Sequence, residues 1–299
     1  MVGLGRMGAN MARRLARGGF SVHGFDPSAA SRDALAQEPG IVLHTALPDA
    51  VGAVAQPRIV WLMLPAGDIT TQTLKELEGL LKPGDILVDG GNANYLDSQV
   101  RAAGWKTRGV HFVDCGVSGG VWGLDGGYCL MFGGEASAAE VLAPVFECLA
   151  PAHDRGWLHC GPPGSGHFTK MIHNGIEYGM MQAYAEGFAL MAGNEAMNID
   201  LGKVAELWRH GSVVRSWLLD LTTTALEDPD ALAFIAPVVA DSGEGRWTID
   251  ESIRQGTPAP VIGAALMARF SSQGKADTSN KLLSLMRKGF GGHATVGKG

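Results

Sequence analysis

The sequence predicts a doubly wound α/β domain over residues 1–162, followed by an all-helical domain over residues 163–299. Three observations carry that prediction. The chain opens on Gly3-Leu4-Gly5-Arg6-Met7-Gly8, a GxGxxG turn running into a helical pattern. Short apolar runs then alternate with helical stretches as far as residue 161. Beyond Gly164 the strand pattern stops and helical periodicities follow one another.

In a GxGxxG turn the glycines allow a tight bend and bring backbone close to a pyrophosphate, whose charge meets the positive end of the next helix. Here that helix runs from Ala9 to Arg17, closed by Gly18-Gly19, and the strand Phe20 to Phe25 ends at Asp26. Asp26 lies 18 positions after Gly8, close to the ~20 expected for the acid that takes the adenosine ribose. Gly3, Gly5, Arg6, Met7, Gly8 and Asp26 are thus candidate contacts of a dinucleotide. Only Met1 and Val2 precede Gly3, whereas a strand ordinarily has about five or six residues. The expectation is that the natural protein has further residues ahead of Met1.

Ile41-Val42 and Ile59 to Leu64 read as strands, the second continuously apolar as in a strand buried on both faces. Leu64 and Pro65 stand at its carboxyl end, where open α/β sheets bind ligands. A helix from Ile69 to Leu81 is stopped by Lys82-Pro83-Gly84. The strand Ile86 to Asp89 runs into Gly90-Gly91-Asn92-Ala93-Asn94, and the run from His111 ends in Ser118-Gly119-Gly120. Tyr128 to Gly133 and Trp157 to Cys160 read as the last strands.

Gly164 to Gly193 reads as one long helix with Ser165 as its cap. Lys170, His173, Asn174, Glu177 and Tyr178 fall at i, i+3, i+4, i+7 and i+8, sharing one arc of roughly 140°. Lys170 and Glu177 are separated by a rise of about 10 Å, too far for a close ion pair and suited to flanking a ligand of sugar-acid size. Such a stripe, read alone, more often faces water. The rest of the helix is mostly Met, Ile, Phe, Ala and Gly, however, which suits burial, and a buried ionisable face needs a partner. Further helices are expected at Asp200–His210, capped by Asp200, and at Val213–Glu227, Pro229–Ala240, Asp250–Gln255, Pro260–Ser272 and Thr278–Lys288.

Composition narrows the function. With 46% hydrophobic and 18% charged residues in a chain of 299, the protein has the means to bury a large core. A net charge of −6 argues against general attraction to nucleic acid or an anionic membrane, so an anionic substrate needs local cations. Cys115, Cys129, Cys148 and Cys160 show no CxxC spacing and read as reduced thiols of a cytosolic protein. No apolar run reaches the length of a membrane span, and no clustering of His, Cys and acidic residues suggests a metal.

The blocks GLGRMGANMARRL, VDGGNANYLDS, DCGVSGG and GSGHFTKMIHNGIEYGMMQ occur in this order, and with them the chain resembles the 6-phosphogluconate dehydrogenases, in their short form, within the wider β-hydroxyacid dehydrogenases. The resemblance implies a Rossmann-like NAD-binding domain and a helical domain that binds substrate and dimerises. It implies oxidation at C3 of 6-phosphogluconate, loss of C1 as CO2 and release of ribulose 5-phosphate. Carried onto this chain, Lys170 is the base on the C3 hydroxyl and Glu177 the acid that protonates the enediol. Asn92, which also lies on the cofactor side, would hold the substrate carboxylate and hydroxyls with Ser118, Gly119, Gly120, His173 and Asn174. Tyr178 and Arg269 would hold the phosphate end, joined by Arg287 and His293 from a tail that reaches in from a second subunit. The chemistry agrees: a secondary alcohol needs a base to yield hydride, and decarboxylation of a β-keto acid needs a proton donor but no metal.

Two departures stand out. Where full-length members carry Lys-Gly-Thr-Gly-Lys-Trp-Thr, this chain has Ser242-Gly243-Glu244-Gly245-Arg246-Trp247-Thr248; a cation is lost, a carboxylate gained, and Arg246 is the candidate to compensate. Where NADP-using members place Asn-Arg-Thr, this chain has Asp26-Pro27-Ser28, which favours NAD over NADP because a carboxylate repels a 2′-phosphate, with Arg32 in reach as a reservation. Two other readings stand beside the main one: a β-hydroxyacid dehydrogenase that loses no CO2, and a non-catalytic NAD-binding sensor.

Overall fold

The computed structural model describes residues 1–228 and 231–291, which form two compact units divided between Met171 and Ile172. The first unit is built on strands β1 (Val22–Phe25), β2 (Ile41–His44), β3 (Ile59–Leu62), β4 (Ile86–Asp89), β5 (His111–Ser118), β6 (Cys129–Gly133) and β7 (Trp157–Gly161). Helices α1 (Arg6–Arg17), α2 (Ala29–Asp33), α3 (Leu47–Gly52), α4 (Asp68–Leu77), α5 (Tyr95–Lys106), α6 (Gly123–Gly126) and α7 (Ala136–Leu149) alternate with them. β1 pairs with β2, and β3 to β7 pair in sequence order. Val2 joins the two groups, bridging in parallel to Phe25 and Leu62. Its N–H donates to the Trp61 carbonyl at 2.8 Å and its carbonyl accepts from Met63 at 2.8 Å. Met1 to Gly3 thus fill the central position of the sheet.

All pairs are parallel except β5–β6. The sequence alternation had suggested one repeating unit, but only residues 119–128 separate β5 from β6. A parallel return needs a crossover of about a dozen residues or more, so β6 comes back antiparallel. Side chains alternate between the two faces as the pleat requires. Trp61, Ile86, Val88, Val113 and Cys115 pack with Met11 and Leu15 of α1 and Leu142 and Phe146 of α7. Val60, Leu62, Leu87 and Phe112 pack with Leu74 and Leu77 of α4 and Trp105 of α5. Both faces are covered, which is why β3 reads as a continuous apolar run.

The helix α8 (Ser165–Ala192) begins in the first unit and runs past its end at Met171. Ser165, the expected cap, is not the cap: its Oγ has no partner among the described residues. The cap comes instead from β5. Asp114 is fully buried, its Oδ1 accepts from the Gly164 N–H at 2.6 Å, and its Oδ2 accepts from the His167 N–H at 2.8 Å. Burial pushes the Asp114 carboxyl above its ordinary pKa, against the pull of His167 and of these N–H groups.

In the second unit, α9 (Leu201–Trp208) is capped by Asp200, whose Oδ1 accepts from Lys203 N–H at 3.0 Å. It is followed by α10 (Trp217–Leu226), α11 (Ala231–Phe234), α12 (Glu244–Gln255), α13 (Pro260–Ser272) and α14 (Asp277–Gly291). Of the helix expected over Pro229–Ala240, Pro229 and Asp230 lie outside the described residues, and within 231–240 only α11 is helical, since Pro237 cannot donate to the ladder and clashes with the turn before it. α12 starts six residues before the expected Asp250, because Gly243 at φ 99° lets the chain turn straight into a helix. Along α8, Ile176, Met180, Met181 and Leu190 are exposed in the single chain, contrary to the burial their character suggested. No helix among the described residues is long and apolar enough to cross a membrane.

The Asp114 cap is testable. Asp114→Asn keeps the shape but turns one acceptor into a donor facing an N–H group. Urea unfolding of the variant should show a loss of about 1–3 kcal/mol, the cost of one buried donor left unpaired.

Candidate functional site

The glycine-rich turn is folded as the motif requires. Gly3 has φ 88°, and a Cβ at Gly8 would run into the Gly3 carbonyl oxygen, so α1 can approach the turn only with glycine there. Gly5 differs: it has ordinary φ −63°, and a Cβ on it would meet no atom within 4 Å. It is the N-cap of α1 without a side-chain cap, so the first-turn N–H groups, with exposed Arg6 and half-buried Met7, remain for an anion. The cradle fits a pyrophosphate.

Asp26 closes β1 and is half-buried. Its Oδ2 accepts from Leu4 N–H at 2.8 Å and its Oδ1 from Ser28 N–H at 2.8 Å. The carboxylate therefore pins the glycine-rich turn to the end of β1, and each oxygen keeps a lone pair for a ribose hydroxyl. Arg32 does not reach out; its guanidinium donates to the carbonyls of Asp26 at 2.6 Å and Pro27 at 3.1 Å. Leu64 packs beside Gly3, and exposed Pro65 is anchored through its carbonyl by buried Thr70 at 2.7 Å.

Asn92 is exposed on the loop after β4. Buried Asp89 holds the root of that loop: it accepts from Gly91 N–H at 3.4 Å and is paired with Arg101 at 2.9 Å. Asn94 ends the loop by capping α5. Half-buried Ser118 closes β5, and Gly119 and Gly120 follow with φ of 130° and 55°. Lys170 on α8 is 7% exposed, its stem laid directly over Gly116 of β5, where any Cβ would collide with the Lys170 Cβ. The first unit thus carries the dinucleotide turn, Asn92, Ser118 and Lys170 at the carboxyl ends of its strands or on α8.

In the second unit, His173 Nδ1 lies 3.1 Å from Asn174 Oδ1 and 3.9 Å from the Glu177 carboxylate. Tyr178 is buried; its hydroxyl lies 3.0 Å from Ser242 Oγ and accepts from Ser242 N–H at 3.2 Å. The Arg269 guanidinium stacks 3.5 Å from the Tyr178 ring centroid and donates to the Ala240 carbonyl at 2.8 Å. Arg246, the candidate to compensate for the lost lysine, is already engaged within the chain. It is tied to Asp241 and lies over the Phe270 ring. Burial alone would raise the Asp241 carboxyl, but hydrogen bonds from Arg246 and the Gly243 N–H bring it below its ordinary pKa. Glu244 is buried, with Oε2 unpartnered among the described residues. Arg287 lies exposed on α14, and His293 is outside the described residues.

Sequence reading missed Asp114, Ser98 and His167, whose part is to hold α8. Only the block DCGVSGG pointed at Asp114, and nothing local marked it as a cap, because the helix it caps starts 50 residues later.

Comparison with known proteins agrees across both units. Residues 1–160 match the model of the NAD binding domain of 6-phosphogluconate dehydrogenase, and residues 166–293 that of the 6-phosphogluconate dehydrogenase C-terminal domain. The NAD(+)-dependent, decarboxylating 6-phosphogluconate dehydrogenase of Haloferax volcanii is 40% identical over 299 residues, covering 100% of this chain and 98% of the relative. The solved 6-phosphogluconate dehydrogenase of Plasmodium falciparum, described with its cofactor NADP+ and its substrate 6-phosphogluconate, superposes with TM-score 0.85 at 27% identity; the match covers 99% of this chain and 65% of that longer one. A 3-hydroxyisobutyrate dehydrogenase of Mycobacterium tuberculosis, at 23% identity and TM-score 0.72 over 92% of each chain, shares the fold.

Two glycine variants separate cofactor binding from folding. Gly5→Ala should leave the unfolding midpoint near wild type but weaken NAD binding about tenfold or more, read by fluorescence titration, because the methyl stands where the pyrophosphate approaches. Gly8→Ala should instead lower stability by about 1–3 kcal/mol through overpacking.

Proposed function

The chain belongs to the 6-phosphogluconate dehydrogenase family, and we propose that it oxidises 6-phospho-D-gluconate with NAD and releases CO2, giving D-ribulose 5-phosphate. The observation that carries this reading is α8: one helix presents Lys170, Asn174 and Glu177 within two turns, with the Lys170 stem fixed against β5.

Bound NAD supplies the hydride acceptor. Lys170, in its neutral form, takes the proton of the C3 hydroxyl as the C3 hydride departs. The product is a β-keto acid, and Asn92, Ser118, Gly119 and Gly120 hold its C1 carboxylate and hydroxyls. The C1–C2 bond then breaks, CO2 leaves, and the electron pair moves into the C3 carbonyl, whose oxygen takes back the proton held by Lys170 to give an enediol; Lys170 accepts that proton again as C2 is protonated and the ketone forms. Glu177 delivers a proton to C2, the carbon that lost CO2. His173 and Asn174 orient the hydroxyls between these two groups. Decarboxylation is what requires Glu177, since plain oxidation needs no second proton donor.

For the phosphate, Tyr178 and Arg269 form the grip within the chain. An Arg guanidinium has five N–H donors, and Arg269 commits one to Ala240 and turns another toward Met181 Sδ at 3.9 Å. Arg287 and His293 would complete the grip of a neighbouring copy in a homodimer or higher homo-oligomer. The exposed apolar residues Ile176 and Leu190 of α8 and Trp217 of α10 support self-association. Asp26, accepting ribose hydroxyls, supports NAD over NADP, and Arg32 is occupied by backbone carbonyls.

A coupled assay with 6-phosphogluconate and NAD, following NADH by absorbance and CO2 by trapping, should give one CO2 per NADH; NADH without CO2 would make the protein a non-decarboxylating β-hydroxyacid dehydrogenase. Lys170→Met should abolish NADH formation with NAD still bound, and Glu177→Gln should lower kcat about 100-fold or more. The kcat/KM should favour NAD over NADP, and the reverse preference would overturn the role given to Asp26.

A further inference from the structure

His167 is among the most deeply buried polar residues of the first unit, at 1% exposed, and the proposed chemistry does not use it. Its Nδ1 lies 2.7 Å from the Oγ of Ser98, itself fully buried in the first turn of α5. Ser98 has one hydroxyl proton and two nearby acceptors, the His167 ring and the Asn94 carbonyl at 3.3 Å. If that proton goes to Asn94, His167 Nδ1–H donates to Ser98, and only a ring lone pair on Nε2 stays unpartnered. If it goes to His167, a buried Nε2–H donor is orphaned, which native interiors avoid more strongly. The first arrangement holds, and it fixes the tautomer as Nδ1–H.

The result is a continuous chain of hydrogen bonds: Asn94 carbonyl, Ser98 hydroxyl, His167 imidazole. At one end is the loop that carries Asn92. At the other is α8, one turn before Lys170. The contact is reinforced by the Tyr95 and Phe168 rings, edge to face at 5.1 Å, and by Gly164, which lies against the Tyr95 carbonyl and the Gln99 side chain. The His167 backbone N–H is held separately, by Asp114. Helix α8 is therefore anchored axially by Asp114, while its rotation relative to α5 is set through the His167 ring.

We infer that His167, acting through Ser98, is a positioning residue that fixes Lys170 relative to the Asn92 loop. The inference rests on Lys170 being the base for the proposed oxidation. A base must sit within hydrogen-bond reach of the hydroxyl it deprotonates, and a displacement of about 1 Å can cost about 100-fold in rate. The carboxylate-holding loop and the base come from different elements, so their spacing needs a tie between those elements.

The test uses the full chain and steady-state kinetics with 6-phosphogluconate and NAD on Ser98→Ala, His167→Leu, His167→Asn and the double variant Ser98→Ala/His167→Leu. His167→Leu and Ser98→Ala should each lower kcat roughly tenfold to 100-fold, with the Kd for NAD within about twofold of wild type. The double variant should be no slower than the worse single variant, since both break one tie. His167→Asn, whose amide nitrogen occupies the place of Nδ1, should recover most of the kcat. Wild-type kcat in Ser98→Ala, additive losses in the double variant, or failure of Asn to recover more than Leu would each overturn the inference. Should His167→Leu not fold, Ser98→Ala, which removes a single oxygen, decides the matter alone. An inactive wild-type chain would instead overturn the proposed function.

Discussion

A single buried carboxylate governs the geometry on which the rest depends. Asp114 sits in the middle strand run of the sheet with no exposed surface and takes the first N–H groups of α8 onto both of its oxygens. A buried carboxylate is costly unless it is hydrogen-bonded, and a helix end buried without partners leaves several donors unpaired. Each defect cures the other. The consequence is that α8 can start at only one place over β5, and with it the position of Lys170 along the strand is set. Gly116 then admits the helix at backbone distance, so that the lysine stem rests on the sheet itself.

The same economy shapes the cofactor end. Asp26, to which we assign the ribose, is also a turn-fixing residue, because the Leu4 N–H in the glycine-rich turn donates to it. With Val2 bridging β1 and β3, the turn is held by backbone on both sides and by a carboxylate at its tip. Much of this was legible in the sequence because it is local: Gly3 and Gly8 announce backbone conformation and close approach, and the Asp26 spacing announces a strand end. What was not legible is non-local. The antiparallel return of β6 depends on how far the chain must travel between strands. The cap of α8 was assigned to Ser165 because Ser165 is adjacent in sequence, whereas the residue that caps it lies on β5.

The helical half was less legible for a related reason. Helical periodicity marked α13 to the residue and α9 nearly so, where Pro260 and Asp200 supply local starts. Ser242-Gly243-Glu244-Gly245 has the composition of a turn, and only its packing under Tyr178 makes it the entry to α12: the Tyr178 hydroxyl binds both Ser242 groups, and a Cβ on Gly245 would meet the Tyr178 ring. On α8, that Lys170, Asn174 and Glu177 share one helix was legible from spacing alone, since position on one helix is fixed by number. The exposure of its apolar residues was not, because apolar character alone does not say which side of a helix the chain's own core covers.

The loss of a lysine from the 242–248 segment is best understood through charge pairing. Arg246 is the one cation of that segment, where full-length members carry two lysines, and it is already engaged, because Asp241 accepts its guanidinium and the pair is neutral as a unit. Asp241 stays ionised more readily for that contact, which strengthens the pairing rather than freeing the arginine. Arg269 meets no carboxylate among the described residues; it rests on an aromatic face and a carbonyl, contacts that orient the guanidinium and leave its charge uncompensated. An anion entering this part of the second unit therefore meets a positive charge at Arg269 and a neutral pair at Arg246. Stacking holds the guanidinium plane in place, which suits the phosphate grip proposed for it, since less side-chain freedom would be lost on binding. The segment from Ser242 to Thr248 thus has its effect through Tyr178, by fixing the ring on which Arg269 rests.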